Sequence, residues 1–250
     1  MSDEVLVERR DRVLLITLNR PKAKNAVNTA LAQGLSAAID ELDSDDGLTA
    51  GVLTGAGGSF SAGMDLKAFA TEGPPVGFDK FLRDGAKKPL IAAIEGFALA
   101  GGLEMALSCD LLVAANNIRV GIPEVGVGLL AAGGALMRLP RVVPYGVAME
   151  MALTGDPISA QQAYEYGLIS RLTEPGKAAD EAIALATRIA KNAPLGVAAS
   201  KQLIIDSTGR TEKEFWAHQV PFMRDVFASE DAKEGPRSFA EKRAPKWRGK

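Results

Sequence analysis

The chain has 250 residues, 47% of them hydrophobic and 24% charged, the balance of a globular protein that buries a sizeable core. A formal net charge of −2 offers no electrostatic footprint for nucleic acid and no attraction to an anionic membrane. One histidine, His218, and one cysteine, Cys109, leave no intrachain disulfide, are too few for a His/Cys metal site within one chain, and suit a reducing, cytoplasmic setting.

No apolar run approaches the ~20 residues of a membrane helix, and the opening MSDEVLVERR is charged where a secretory signal would be apolar. VLLITLN (Val13–Asn19) is a short β-branched run stopped by Arg20-Pro21, which reads as a strand. In ALAQGLSAAIDEL, Leu31, Leu35, Ala38, Ile39 and Leu42 recur on one helical face. AGVLTGAG (Ala50–Gly57) predicts a buried strand ending in glycines, and GGSFSAGMDLKAF a small-residue loop entering a short helix. PLIAAIEG (Pro89–Gly96) is another strand and GGLEMALSC another glycine-led helix. DLLVAA and IRVGIPE are two further strands around Asn116-Asn117. Such alternation indicates an α/β fold.

After Gly133-Gly134 the pattern becomes helical. SAQQ (Ser159–Gln162) and TEKE (Thr211–Glu214) fit capping boxes, and Gly155 and Gly167 stand where helices end. No strand is expected beyond Pro194. Residues 1–193 therefore form the core, and 194–250 a helical region with a basic tail.

Glycines after a strand suggest nucleotide binding, and Gly55-Ala56-Gly57-Gly58 must be tested against that. A dinucleotide fingerprint counted from Gly55 needs glycine where Phe60 stands, and Gly-Lys-Ser/Thr is nowhere present. A nucleophile elbow on Ser61 needs glycine where Ser59 stands. His218 lies in a charged helical stretch far from any serine in a tight turn, which removes a Ser-His-acid triad. What remains is a pair of strand–loop–helix junctions, around Gly63-Met64-Asp65 and Ala100-Gly101-Gly102. Each leaves unpaired N–H groups at the positive end of a helix. Two that converge can receive an oxygen that becomes negative during reaction; taken singly, each is also an ordinary tight turn. A side chain added at Gly101 is expected to block that approach and to strain the turn.

GFALAGGLEMALSCDLLVAA (Gly96–Ala115) holds two acids, Glu104 and Asp110, among mostly apolar or small residues. A buried ionised carboxylate is costly without a partner. Read from the residues alone, Glu104 lies on the polar side of an amphipathic helix.

Six landmarks in order carry a resemblance: LNRPKAKNAVN, TGAGGSFSAGMDLKAF, PLIAAIEGFALAGGLEMALSCDLLVAA, GIPEVGVG, GGALMRLPRVV and EDAKEGPRSFAEKRAPKW. From about Val5 to the end the chain resembles the crotonase (enoyl-CoA hydratase/isomerase) superfamily. The resemblance implies an α/β fold, the crotonase (ClpP-like) spiral of repeated β-β-α units, with a C-terminal helical region that assembles a homotrimer or a dimer of trimers. It implies an acyl-CoA thioester substrate, coenzyme A arriving as part of it, and no metal or redox cofactor. The implied oxyanion donors are the N–H groups of Met64 and Gly101. Ala62 and the stretch Met64-Asp65-Leu66-Lys67 would line the CoA site, and Phe239 and Lys242 would touch the nucleotide. Glu104 would polarise a water and Glu124 exchange a proton at C2, in reversible syn addition of water to a trans-2-enoyl-CoA. Asp110 stands where the family has a structural aspartate, expected to bond nearby backbone.

Alternatives stay open: isomerisation, dehydration of a hydroxyacyl-CoA, or, further off, acyl-CoA binding without catalysis. Met64 replaces the alanine many members have, and Leu130-Ala131-Ala132-Gly133-Gly134 lacks the proline or aspartate common in hydratases. GMDLKAF and EGPRSFAEKRAPKW are similar to the carnitinyl-CoA dehydratase-like branch.

Overall fold

The structure is a computed structural model that describes residues 3–250. Strands β1 (Val5–Arg10) and β2 (Val13–Leu18) form an antiparallel hairpin. Helix α1 (Thr29–Ser44), capped by the Asn28 side chain, leads to β3 (Ala50–Gly55). Helices α2 (Leu66–Glu72) and α3 (Phe78–Asp84) follow, then β4 (Leu90–Ile94), β5 (Phe97–Leu99) and α4 (Gly101–Leu107). Next come β6 (Leu111–Ala115), β7 (Arg119–Gly121), a 3-10 turn over Pro123–Val127, α5 (Ala135–Val142) and α6 (Tyr145–Thr154). Then follow β8 (Ile158–Ser159), α7 (Ala160–Glu165), β9 (Arg171–Thr173) and α8 (Ala178–Ala190).

Two sheets share this chain. The larger has the order β1-β2-β3-β4-β6-β9 and the smaller β5-β7-β8. The chain visits the large sheet, the small sheet and then a helix: β4-β5-α4 is one such turn, and β6-β7 followed by the 3-10 turn is the next. An earlier turn passes β3, a parallel bridge between Ser61 and Ala98 at the small sheet, and then α2. This winding places the ends of successive small-sheet strands side by side, with α4 and the 3-10 turn leaving from neighbouring points.

The large sheet is apolar on both faces because both are covered. Leu14, Ile16, Leu18, Leu53, Ala92 and Ala114 pack in one cluster with the α1 face of Leu31, Leu35, Ala38, Ile39 and Leu42. The other face, with Val13, Leu15, Val52, Ile91, Ala93 and Val113, meets Ala178, Ala182 and Ala186 of α8. Alanines at four-residue spacing form one helical face and let α8 lie close on the sheet.

Helices α9 (Pro194–Asp206), α10 (Glu212–Ala228) and α11 (Glu230–Ala240) complete the chain. Lys201 ties α9 to the core: its ammonium donates to Ala86 O (2.6 Å), Lys88 O (2.9 Å) and Asp110 Oδ2 (2.7 Å). Asp110 also accepts from Leu90 N (2.8 Å), the expected bond to backbone. Both capping boxes form, at Ser159 and Thr211, and Gly155 (φ +73°) and Gly167 (φ +87°) follow α6 and α7.

Two expectations need correction. The region after Gly133-Gly134 is not purely helical, since β8 and β9 each join a sheet; two and three residues are too short to show a period. IRVGIPE is a strand only over Arg119–Gly121. Pro123 fixes φ and lacks an N–H, so the chain turns there and Glu124 rides on a 3-10 turn. β1 went unread because VLVERR is an edge strand with Glu8, Arg9 and Arg10 exposed. Among the described residues, no helix is long and apolar enough to cross a membrane.

Candidate active site

The first junction is held by Val27. Its N–H donates to Gly63 O (2.8 Å) and its carbonyl accepts from Asp65 N (2.9 Å). A parallel bridge of this kind turns the intervening N–H away from its partner, and Met64 N–H meets no acceptor among the described residues. Ser61 stiffens the loop, its hydroxyl donating to Asn25 O (2.8 Å) and accepting from Gly63 N (3.1 Å). Gly63 has φ +91°, and a Cβ there would stand 2.8 Å from Gly101 N. The two junctions touch, which requires glycine at 63.

The second junction bends at Ala100, with φ 51° and ψ −131°, a conformation rare for a residue with a Cβ. Gly101 N–H, the first of α4, also has no acceptor among the described residues. A Cβ on Gly101 would lie 3.5 Å from Met64 N and 3.5 Å from Phe78 Cε1, so it would project into the space both N–H groups border. Its φ is not in the left-handed region. The expectation that a side chain at Gly101 strains the turn is therefore wrong; Ala100 carries that conformation.

Glu104 is 4% exposed and Glu124 9% exposed, values at which a carboxylate needs partners. Glu104 Oε1 accepts from Ala135 N (3.2 Å) at the start of α5. Burial raises its pKa above the ordinary value, opposed by the Ala135 and Gly133 N–H groups and by the Arg138 charge. A Cβ at Gly133 would stand 2.5 Å from Glu104 Oε2 and 2.6 Å from Leu82 Cδ1, so the missing side chain leaves room for both. Glu124 has less help: its Oε2 is buried with no hydrogen-bond partner. Burial, and then the charge of Glu104, push its pKa up.

That raised pKa has a consequence for stability. The folded protein holds the Glu124 proton to a higher pH than the unfolded chain, so ionisation destabilises the fold as pH rises above the ordinary 4.5. Glu124→Gln removes this penalty. The variant should melt above the parent at pH 8, the gap closing as pH falls toward 4.5; thermal unfolding across that range checks it, and an equal or lower melting temperature at pH 8 would contradict it.

Ala62, Met64, Leu66, Gly101, Glu104 and Glu124 line one cavity of about 590 Å³, walled by Phe78, Leu82, Leu130 and Met137. The structure does not bring the other expected substrate contacts there. Asp65 caps α2, accepting from Lys67 N (3.1 Å) and Ala68 N (3.2 Å), and pairs with Arg20 (3.0 Å). Lys67 is exposed on the surface of α2. Phe239, 87% exposed on α11, and Lys242, just past its end, do not line the cavity of their own chain. Arg138 does, and sequence reasoning passed over it although GGALMRLPRVV was one of the landmarks.

Comparison with known proteins decides the family. A family model described as enoyl-CoA hydratase/isomerase matches residues 8–250. The chain belongs to the enoyl-CoA hydratase/isomerase family. Enoyl-CoA hydratase EchA19 of Mycobacterium tuberculosis is 42% identical to it, over 99% of this chain and 97% of that protein. The (E)-benzylidenesuccinyl-CoA hydratase of Thauera aromatica is 40% identical, over 98% and 99%. A crystal structure of an enoyl-CoA hydratase from Mycobacterium tuberculosis superposes with a TM-score of 0.94 at 55% identity, covering both chains fully. The two-sheet spiral is thus the crotonase fold, and Glu104 and Glu124 line one cavity within it.

Proposed function

We propose that this chain is an enoyl-CoA hydratase, adding water reversibly and syn across the double bond of a trans-2-enoyl-CoA thioester. The observation that carries the reading is the unpartnered Glu124 Oε2, buried in the same cavity as Glu104 and the Met64–Gly101 junctions. A buried acceptor without a partner is costly, and a proton shared with water or substrate relieves it.

The thioester carbonyl would sit between the Met64 and Gly101 N–H groups, which strengthen their hold as the oxygen gains charge. Glu104, stabilised as the anion by two N–H groups and Arg138, takes a proton from water as the water oxygen bonds to C3. Electrons of the double bond pass to C2 and the thioester oxygen. Glu124, raised by burial, is the acid that gives C2 its proton. Water is then fully added, and one proton passing from Glu104 to Glu124 resets the pair. Two carboxyl groups in different environments take the two roles, as acid–base pairs do. The wall of Leu66, Phe78, Leu82 and Met137 suits an apolar acyl group, and coenzyme A comes with the substrate, so this chemistry calls on no metal or redox group.

A panel of 2-enoyl-CoA thioesters with short, long, branched and ring-bearing acyl groups tests the reading. Hydration of at least one is expected. Turnover of 3-enoyl thioesters to 2-enoyl products without hydration would favour isomerisation, and binding without turnover would favour a carrier.

The assembly we infer is a homotrimer or a dimer of trimers. Ile204, Trp216, Val220 and Phe227 stand exposed on α9 and α10, an apolar surface of the kind that subunit contacts cover. Phe239 and Lys242, which do not line their own cavity, would then meet the nucleotide of a CoA held by a neighbour. Light scattering should give a trimer or hexamer; a stable monomer at micromolar concentration would contradict it. A cytoplasmic setting fits the single, buried Cys109.

A further inference from the structure

Arg138 lines the cavity half-buried, and its guanidinium reaches three separate segments around Glu104. It donates to Leu82 O (2.5 Å) in α3, to Gly133 O (3.2 Å) in the loop before α5, and to Ser108 Oγ (3.3 Å) at the end of α4. The Ser108 hydroxyl in turn donates to Glu104 O (2.9 Å). The two adjacent glycines each clear room for one member of this arrangement. A Cβ at Gly133 would stand 2.5 Å from Glu104 Oε2, and one at Gly134 2.6 Å from Arg138 Nη1.

We propose that Arg138 is a positioning residue of the reaction: it laces together α3, the loop before α5 and the end of α4 around Glu104 and sets a fixed positive charge on that side of the carboxylate. The role in the reaction rests on the hydratase reading above; the lacing itself does not. A guanidinium suits the task because it stays charged in proteins and presents several donors in one plane. Glu104 is the carboxylate that offsets the burial of Arg138.

Other charged groups stand on the elements packed around Glu104. Glu124 approaches from the 3-10 turn, Asp79 and Arg83 border the cavity from α3, and Arg141 lies one turn beyond Arg138 on α5. Asp110, with its partner Lys201, sits just past α4. All of these remain when Arg138 is replaced, so a change in Glu104 would be traced to Arg138.

The test is a carbon-13 NMR titration of glutamate carboxyls in the substrate-free protein, with Glu104 assigned by its loss in Glu104→Gln. In Arg138→Gln the Glu104 midpoint should rise by about one pH unit or more, as expected when a neighbouring cation is removed. The acid limb of kcat/KM should move up with it. Arg138→Lys keeps the charge but not the three bonds; its midpoint should stay near the parent's while kcat falls about tenfold. A folded Arg138→Gln with an unmoved Glu104 midpoint would overturn the proposal. If the glutamine variant does not fold, the lysine variant decides: parental kcat, or a midpoint displaced upward, would overturn it. The titration needs no substrate, so it stands apart from the hydratase reading. Absence of hydration by the parent enzyme would defeat that reading alone, and an unmoved midpoint in an active enzyme would defeat only the role of Arg138.

Discussion

Glu104→Gln and Glu124→Gln are each expected to lower kcat by about 10²-fold or more, the range for a positioned acid or base, with little change in acyl-CoA affinity. Glutamine fills the same volume, so the cavity keeps its shape. What it cannot do is exchange a proton. At Glu104 the amide can still face Ala135 N–H with its oxygen, and the local fold around α5 should survive. At Glu124 there is no hydrogen bond to lose at Oε2, and the amide oxygen can keep the bond the carboxyl takes from its own backbone N–H, so a fall in kcat there points to the lost proton. Steady-state kinetics on the best thioester, with equilibrium binding of a non-reacting acyl-CoA, separates the two effects. Near-parental kcat in either variant would mean that glutamate has the wrong role.

Gly101→Val should be nearly inactive though folded, while Met64→Ala stays within about tenfold of the parent, ~1.4 kcal/mol of barrier. The difference is one of position. Met64 contributes a backbone N–H, which alanine also has, and losing its side chain opens space beside the thioester. At Gly101 a Cβ would already stand 3.5 Å from Met64 N, and the valine methyl groups extend further into the gap where the carbonyl oxygen must sit. Losing one oxyanion donor typically costs ~10²–10³ in kcat. The Cβ itself meets only ordinary contact distances and the backbone there is not left-handed, so circular dichroism and melting should show an intact fold. An active Gly101→Val, or a folded but inactive Met64→Ala, would place the oxyanion donors elsewhere.

The sequence was most legible where a period or a landmark repeats. Leu31, Leu35, Ala38, Ile39 and Leu42 mark a helical face, and all five are buried against the sheet. Met64, Gly101, Glu104 and Glu124 could be singled out through family landmarks, since nothing in the spacing of Glu104 and Glu124 alone shows that a spiral turn brings α4 and the 3-10 turn together. Short elements were illegible for a different reason. β5, β8 and β9 have two or three residues each, and their strand character comes from neighbours across the sheet. Arg138 was missed because its partners are two backbone carbonyls and a serine hydroxyl, groups that leave no charge pattern in the sequence. Phe239 and Lys242 were assigned to the substrate site from resemblance, and a single chain leaves them at its surface. In Gly133-Gly134 the sequence shows two glycines; that they make room for Glu104 and Arg138 is visible only in three dimensions.

The most direct measurement of the central claim is to incubate the purified protein with a trans-2-enoyl-CoA in water enriched in the heavy oxygen isotope and analyse the thioester by mass spectrometry. The account predicts a 3-hydroxyacyl-CoA carrying one heavy oxygen at C3, formed by the parent enzyme and greatly slowed in both Glu104→Gln and Glu124→Gln. A product with a shifted double bond and no label, or labelled product formed at the parental rate by either variant, would contradict it.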